Sequence, residues 1–282
     1  MSKKATAQFW DTAHRYLGHQ LKVIRQVSSH TIDSYRDCLN SFIDYLERVE
    51  NISRKKISFH NFGKETIKRY QTWMITEQGL APKTCNLRLT AIRSFLEYAA
   101  QEYLWLMPVY TDACTIAGVK TPNHAIEYFE PDEMTALLAA PSGTSRTDRR
   151  NQMMLIFLYD TAARVAEARQ VKVSDLHLDA GVPYVTLLGK GRKYRNIPLM
   201  EKTVLHLKRY LKDFHRSDPK TDLPLFYAKA HGLLHELSSD TFEKMIKRYA
   251  EQCREGGYPM PDRVHCHMIR KTRAMDLYRE GV

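Results

Sequence analysis

Three clusters, well separated along the chain, hold side chains suited to a phosphate ester. The first is Tyr159-Asp-Thr-Ala-Ala-Arg-Val-Ala-Glu167, with Arg164 and Glu167 three residues apart. The second is the basic run Leu188-Gly-Lys-Gly-Arg-Lys-Tyr-Arg-Asn-Ile-Pro-Leu199, which contains Lys190, Lys193 and Arg195. The third is His267-Met-Ile-Arg-Lys-Thr272, with His267, Arg270 and Lys271. Arginine offers a planar fork of donors that matches phosphate oxygens and keeps its proton at any working pH. Histidine titrates near neutrality and can move a proton. Each cluster also has an ordinary reading. Arg164 and Glu167 can be a surface i,i+3 pair, Lys190 a turn residue, and His267 and Arg270 a plain first helical turn.

The elements that must position these groups are mostly helical. Tyr35, Leu39, Phe42, Ile43 and Leu46 form one stripe of helical period, with Ser29 or Thr31 as N-cap. A second helix is expected from about Lys64 to Glu77, stopped by Gly79. A third opens at Pro82 and reaches Tyr103, burying Leu89, Ile92, Leu96 and Ala99. Periodicity fades between Met107 and Glu130, where Pro108, Gly118 and Pro122 punctuate the chain. A linker at 113–127 therefore separates a helical domain at 1–112 from a second domain at 128–282. Pro131 opens the next helix, and an apolar helix covers Asn151 to Thr161. The clear β signal is Pro183 to Pro198, two strands about the Gly189-Lys-Gly191 turn. Helices return at about Lys202–Phe214, Ser239–Cys253 and Met268–Glu280. The fold class is mainly α with a small β-hairpin or sheet.

Composition narrows the function. The 282 residues carry 43 Lys and Arg against 32 Asp and Glu, a formal charge of +11. Both halves are basic, with 17 basic and 11 acidic residues before Pro122 and 26 and 21 after it. A surface that meets an anionic polymer along its length fits that balance. No run reaches the ~20 apolar residues of a membrane span, and Met1 to Gln8 does not resemble a secretory leader. The five cysteines are scattered without a C-x-x-C pair, as in a reducing compartment. His265, Cys266 and His267, with Cys253 upstream, fit no ordinary zinc spacing. The expectation is a cytoplasmic, nucleoid-associated protein.

The order of the three clusters resembles the tyrosine recombinases of the phage integrase family. That family shows Thr-Gly-x-Arg-x-x-Glu, then a hairpin with Gly-Lys-Gly-x-Lys-x-Arg-x-x-Pro-Leu, then His-x-x-Arg. The counterparts here are Thr161 to Glu167, Gly189 to Leu199 and His267 to Arg270. The resemblance implies a two-domain clamp, a helical core-binding (SAM-like) domain joined to a catalytic domain. It implies site-specific recombination by strand cleavage and rejoining through a 3′-phosphotyrosine. Arg164 and Arg270 would hold the non-bridging oxygens. Lys190, with Lys193 as the alternative, would protonate the leaving oxygen. His267 would assist proton transfer or bond the phosphate, and Glu167 would buttress Arg164. DNA contacts would come from Lys83, Thr84, Asn86, Arg88 and Arg93 on the third helix, and from Lys193, Arg195 and Lys271. No cofactor is implied: no metal and no ATP. The partners implied are double-stranded attachment sites, further copies forming a tetramer on paired sites, and accessory DNA-bending proteins.

The sequence departs from the family in three places. Ala163 is read as standing where the family has glycine, a turn that alanine can form at negative φ. Lys271 replaces a common histidine. The family spacing places the tyrosine near position ~300, whereas the sequence ends at Val282. Tyr278, eight residues past Arg270 on the same expected helix, is too close to reach the same phosphate. The chain is thus expected to bind DNA and assemble most of the phosphate pocket without forming the covalent link by itself. The alternatives are a non-catalytic DNA-binding relic or regulator of recombination sites, and a type IB topoisomerase.

Overall fold

The computed structural model describes residues 3–122, 125–143, 145–189, 191, 193–215, 222–230 and 233–281. Its contacts divide the chain into two units, Met1–His124 and Ala125–Val282.

The first unit is built from helices α1 (Lys3–Arg15), α2 (Ser29–Arg48), α3 (Lys64–Thr76), α4 (Pro82–Glu102) and α5 (Met107–Cys114). A π-helical stretch, Tyr16–Ile24, continues α1. Its wider turn breaks the 3.6-residue period, so the buried row of Phe9, Tyr16 and Leu21 leaves no helical pattern in the sequence. The α2 stripe buries Leu39, Phe42, Ile43 and Leu46 as expected, but its N-cap is Ser28, whose hydroxyl accepts from the Thr31 amide at 3.2 Å. Gly79 ends α3 in the left-handed region at φ 58°. Helix α5 lies where periodicity fades. Only Ala113 is fully buried in it, so it has no apolar row to read. The core is aromatic: Phe42 meets Phe62 at 4.8 Å and Tyr70 at 5.0 Å edge-on, and Phe9 meets Phe59 at 5.4 Å.

The second unit adds α6 (Pro131–Ala139), α7 (Arg146–Thr161), α8 (Val165–Gln170), α9 (Glu201–His215), α10 (Ser239–Glu255) and α11 (Cys266–Arg279). Strands β1 (Leu176–His177), β2 (Tyr184–Leu188) and β3 (Tyr194–Pro198) form an antiparallel sheet in that order. The pair β4 (Tyr227–Ala230) and β5 (Leu233–Glu236) forms a second one. The expected hairpin is β2–β3, in register from Tyr184 opposite Pro198 to Leu188 opposite Tyr194. Strands β1, β4 and β5 escape the sequence: β1 is two residues long, and β5 is exposed throughout, so neither of these shows alternation. The core takes Met154, Leu155 and Phe157 from α7, Val185 and Leu187 from β2, Leu207 from α9, Ile246 from α10 and Met268 and Ile269 from α11.

One expectation is corrected. The residue that needs a glycine-like backbone is Ala162, at φ 46° and ψ 32°, while Ala163 lies buried without positive φ. Ala162 ends α7 in the left-handed conformation, which lets the chain turn sharply into α8. A β-carbon is strained there by about 1–2 kcal/mol. Ala162→Gly is therefore expected to stabilise the fold by about 0.5–1 kcal/mol net of chain entropy. Ala163→Gly removes a buried methyl and lowers stability by about 1 kcal/mol. Urea midpoints of the two variants check this: shifts of the same sign would contradict it.

Candidate phosphate-handling site

The site is assembled on the turn between α7 and α8. Thr161 Oγ1 donates to the Phe157 carbonyl at 2.6 Å and accepts from the Ala163 amide at 3.2 Å, fixing the turn from within. Asp160, also buried, accepts from the Met200 amide at 2.9 Å and so ties the end of β3 to the same place. Arg164 is the N-cap of α8 with extended backbone.

Glu167 is the hub. Its side chain is 4% exposed, and it accepts four bonds. The Arg164 amide donates at 2.7 Å and Arg164 Nη1 at 2.9 Å. Arg195, reaching in from β3, donates from Nη1 at 2.9 Å and Nη2 at 2.6 Å. Burial pushes the Glu167 carboxyl up, but the Arg195 and Arg164 bonds outweigh it and hold the group at about 2. A side chain at Gly189 would place its Cβ 2.9 Å from Arg195 Nη1 and 3.3 Å from the Lys193 carbonyl, so the Arg195 guanidinium would have to shift from its place on Glu167.

Arg270 comes from α11 and donates from Nη1 to the Ala162 carbonyl at 2.5 Å. The left-handed turn thus aims that carbonyl at the guanidinium. Burial, then the like charge of Arg164, lowers the Arg270 pKa, with Glu167 acting against them. Two half-exposed guanidiniums share this corner, one anchored on a carboxylate and the other on a carbonyl. Such a pair holds a doubly ligated anion in a fixed orientation. His267 stands one turn before Arg270 on α11. Burial and then the charges of Lys271, Arg270, His265 and Arg164 lower its pKa, so its ring is neutral at pH 7 and free to accept a proton. An open groove beside the corner is lined by Ala162, Arg195, Ile197, Met200, Arg270 and Arg273.

The structure therefore brings Arg164, Arg195 and Arg270 to the turn between α7 and α8, with His267 one helical turn before Arg270 on α11 and Lys271 directly after Arg270. Lys193 is exposed at the turn, its carbonyl accepting from the Gly189 amide at 2.8 Å. Lys190 lies outside the described residues. Arg195, expected as a DNA contact, proves to be a member of the carboxylate hub. Strand alternation is the signal for it, since 195 and 197 share the inward face of β3.

On α4 the expected contacts separate into two groups. Lys83 is exposed, Thr84 half-buried, and Arg88 lies beside the Tyr70 hydroxyl. Asn86 instead donates to the Val119 carbonyl at 2.9 Å and accepts from the Val119 amide at 2.8 Å. Arg93 donates to the Ala113 carbonyl at 3.1 Å and also to that of Ile116. These two side chains hold the segment that leaves α5. Among the described residues no group of three or more His, Cys, Asp or Glu is placed to hold a metal ion, and no helix is long and apolar enough to cross a membrane.

Both units of the chain are similar to known proteins. Residues 127–282 match the phage integrase family, and residues 14–103 match the N-terminal SAM-like domain of phage integrases. The integrase/recombinase y4rC of Sinorhizobium fredii is 30% identical over 261 residues, 92% of this chain and 76% of that protein. Tyrosine recombinase XerD of Halalkalibacterium halodurans is 33% identical over 237 residues, 83% of this chain and 74% of its own. Among solved structures, XerH bound to a palindromic difH substrate superposes with a TM-score of 0.69 at 22% identity, covering 91% of this chain and 71% of that one. The lambda integrase tetramer bound to a Holliday junction gives 0.69 at 16% identity, covering 97% and 73%.

Proposed function

The chain belongs to the phage integrase family and serves site-specific DNA recombination by breaking and rejoining strands, and we propose that Arg164, Arg270 and His267 form the pocket in which the phosphodiester is attacked. The observation that carries this is the convergence of Arg164 and Arg270 on one turn, each bonded through Nη1 to a protein acceptor and neither buried. In-line attack concentrates charge on the non-bridging oxygens, and two preorganised guanidiniums stabilise it without reorganising. The neutral His267 ring takes the proton at the nucleophile or bonds the phosphate. Lys190 is assigned to the leaving oxygen on its place in the hairpin motif, with Lys193 as the alternative.

Lys83, Thr84 and Arg88 of α4 are proposed to contact the duplex, as are Lys193 and Lys271 in the second unit. Asn86 and Arg93 act at one remove, by fixing residues 113–119. Relatives are known on DNA substrates and as a tetramer on a Holliday junction, and the same assembly on paired sites is proposed here, in the compartment that holds the DNA. Tyr278 is not assigned as nucleophile. It lies on the helix of Arg270, eight residues and about 12 Å further along the axis, with its side chain turned to solvent.

Duplex binding tests this reading. Affinity should fall steeply from 50 to 200 mM salt, as counterions released from several phosphates require, and no adduct through Tyr278 should form on a nicked duplex. An affinity indifferent to salt would remove the DNA-binding reading, and a stable adduct would show that a tyrosine of this chain is the nucleophile.

A further inference from the structure

The groove that opens beside the arginine corner holds a further guanidinium that the phosphate pocket does not use. The groove touches the corner itself, since Ala162, Arg195 and Arg270 line it, and Arg273 lines it further along α11. Arg270, Arg273 and Leu277 fall on one stripe of that helix, at i, i+3 and i+7. Ile197, Leu199 and Met200 give the groove an apolar wall. Among the described residues that line it, the one carboxylate is Asp160, which is buried and accepts from the Met200 amide at 2.9 Å.

Arg273 is engaged differently from the arginines around it. Arg164 and Arg195 are ion-paired to Glu167. Arg279, later on α11, is paired to Glu130 and Asp276. Arg273 has no ion pair among the described residues, and its Nε is buried without an acceptor. Its guanidinium lies instead over the Tyr159 ring, 5.6 Å from the centroid. The Tyr159 hydroxyl donates to Asp276 Oδ2 at 2.8 Å, which fixes that ring. A half-buried cation without a counter-ion is one that an incoming anion stabilises.

A DNA strand held at the corner continues away from it, and this groove gives its next unit a path. Three residues of helix advance about 4.5 Å, close to the ~3.4 Å of duplex axis between successive phosphates of one strand. We propose that Arg273 holds the phosphate next to the one at the Arg164–Arg270 corner, with Tyr159 as its positioning residue. The wall of Ile197, Leu199 and Met200 then packs against the deoxyribose between the two phosphates. This rests on the reading of the corner given above and extends it from one phosphate to two. Two phosphates held in succession fix the direction of the strand through the site, which one alone does not.

A single uncharged methylphosphonate, moved along a duplex that the whole wild-type chain selects from a randomised library, tests this. Arg273→Ala should bind the unmodified duplex about tenfold more weakly. Its plot of log affinity against log salt should be shallower by about 0.9. One linkage should cease to matter in Arg273→Ala while still weakening the Arg164→Ala/Arg270→Ala variant, and it should adjoin the linkage to which that double variant is indifferent. Arg273→Met keeps the buried stem and should be indifferent to the same linkage, which separates the lost contact from any folding defect of the alanine variant. Tyr159→Phe keeps the ring but frees it from Asp276, and should weaken binding by a smaller factor with the salt slope unchanged. If the double variant has its indifferent linkage and neither Arg273 variant has one beside it, the inference is overturned and the corner reading stands. If none of the variants has such a linkage, both are overturned.

Discussion

Replacing Glu167 by alanine is expected to destabilise the second unit by about 2–3 kcal/mol at neutral pH. The carboxylate is almost fully buried, and it satisfies the Arg164 amide and two guanidiniums at once. Its removal leaves Arg195, two-thirds buried, without a counter-charge. The cost stays below that of a wholly buried pair because Arg164 is half-exposed and regains water. Glu167→Gln should lose less, since the amide oxygen still accepts from the Arg164 backbone. The pH dependence has a definite sign. The folded pKa of about 2 lies below the ordinary 4.5, so the stabilisation is fully present above 4.5 and is lost as pH falls through about 2. The shift corresponds to about 3 kcal/mol in the full range. Denaturant titrations between pH 2 and 7 should show the wild type losing this increment on acidification, with Glu167→Gln lacking it. Parallel curves for the two proteins would show that Glu167 is not the hub described here.

The second large effect concerns Arg270. Alanine at this position removes a guanidinium held by the Ala162 carbonyl and facing Arg164 across the corner. Duplex affinity should fall about 10- to 100-fold, the range of one or two charge-assisted bonds to phosphate. The plot of log affinity against log salt should become shallower by about 0.9 for each phosphate that is no longer neutralised. Arg270→Lys should recover the salt slope but little of the affinity. Lysine restores the charge, but it cannot bond the carbonyl and a phosphate oxygen through one rigid plane. A lysine variant as tight as the wild type would mean that Arg270 contributes charge alone.

Much of this arrangement was legible in the residues. Arg164 and His267 could be placed at helix starts because Thr161 ends an apolar run and Met268 begins a buried row. The hairpin followed from Gly189 and Gly191 between β-branched and aromatic residues. The α4 helix followed from Pro82 and the spacing of Leu89, Ile92 and Leu96. Other features depend on tertiary contact. That Arg195 joins Glu167 requires the hairpin to fold over α8, and strand alternation gives only its face, not its partner. Asn86 and Arg93 looked like a polar DNA-facing row, since nothing in the spacing shows that backbone from 113–119 lies across them. The motif, counted from Thr161 to Arg164, puts the glycine position at Ala162 and not at Ala163, and the left-handed backbone of Ala162 agrees.

The central claim is that Arg164 and Arg270 together hold one DNA phosphate, and a single uncharged linkage tests it most directly. A methylphosphonate is moved along the duplex selected by the wild-type chain, and affinity is measured for the wild type and for the Arg164→Ala/Arg270→Ala variant. The account predicts one linkage whose neutralisation weakens wild-type binding tenfold or more and leaves the double variant unaffected, a strong non-additivity confined to that phosphate. Equal losses for both proteins at every linkage would contradict it, because the two arginines would then not meet a phosphate in common.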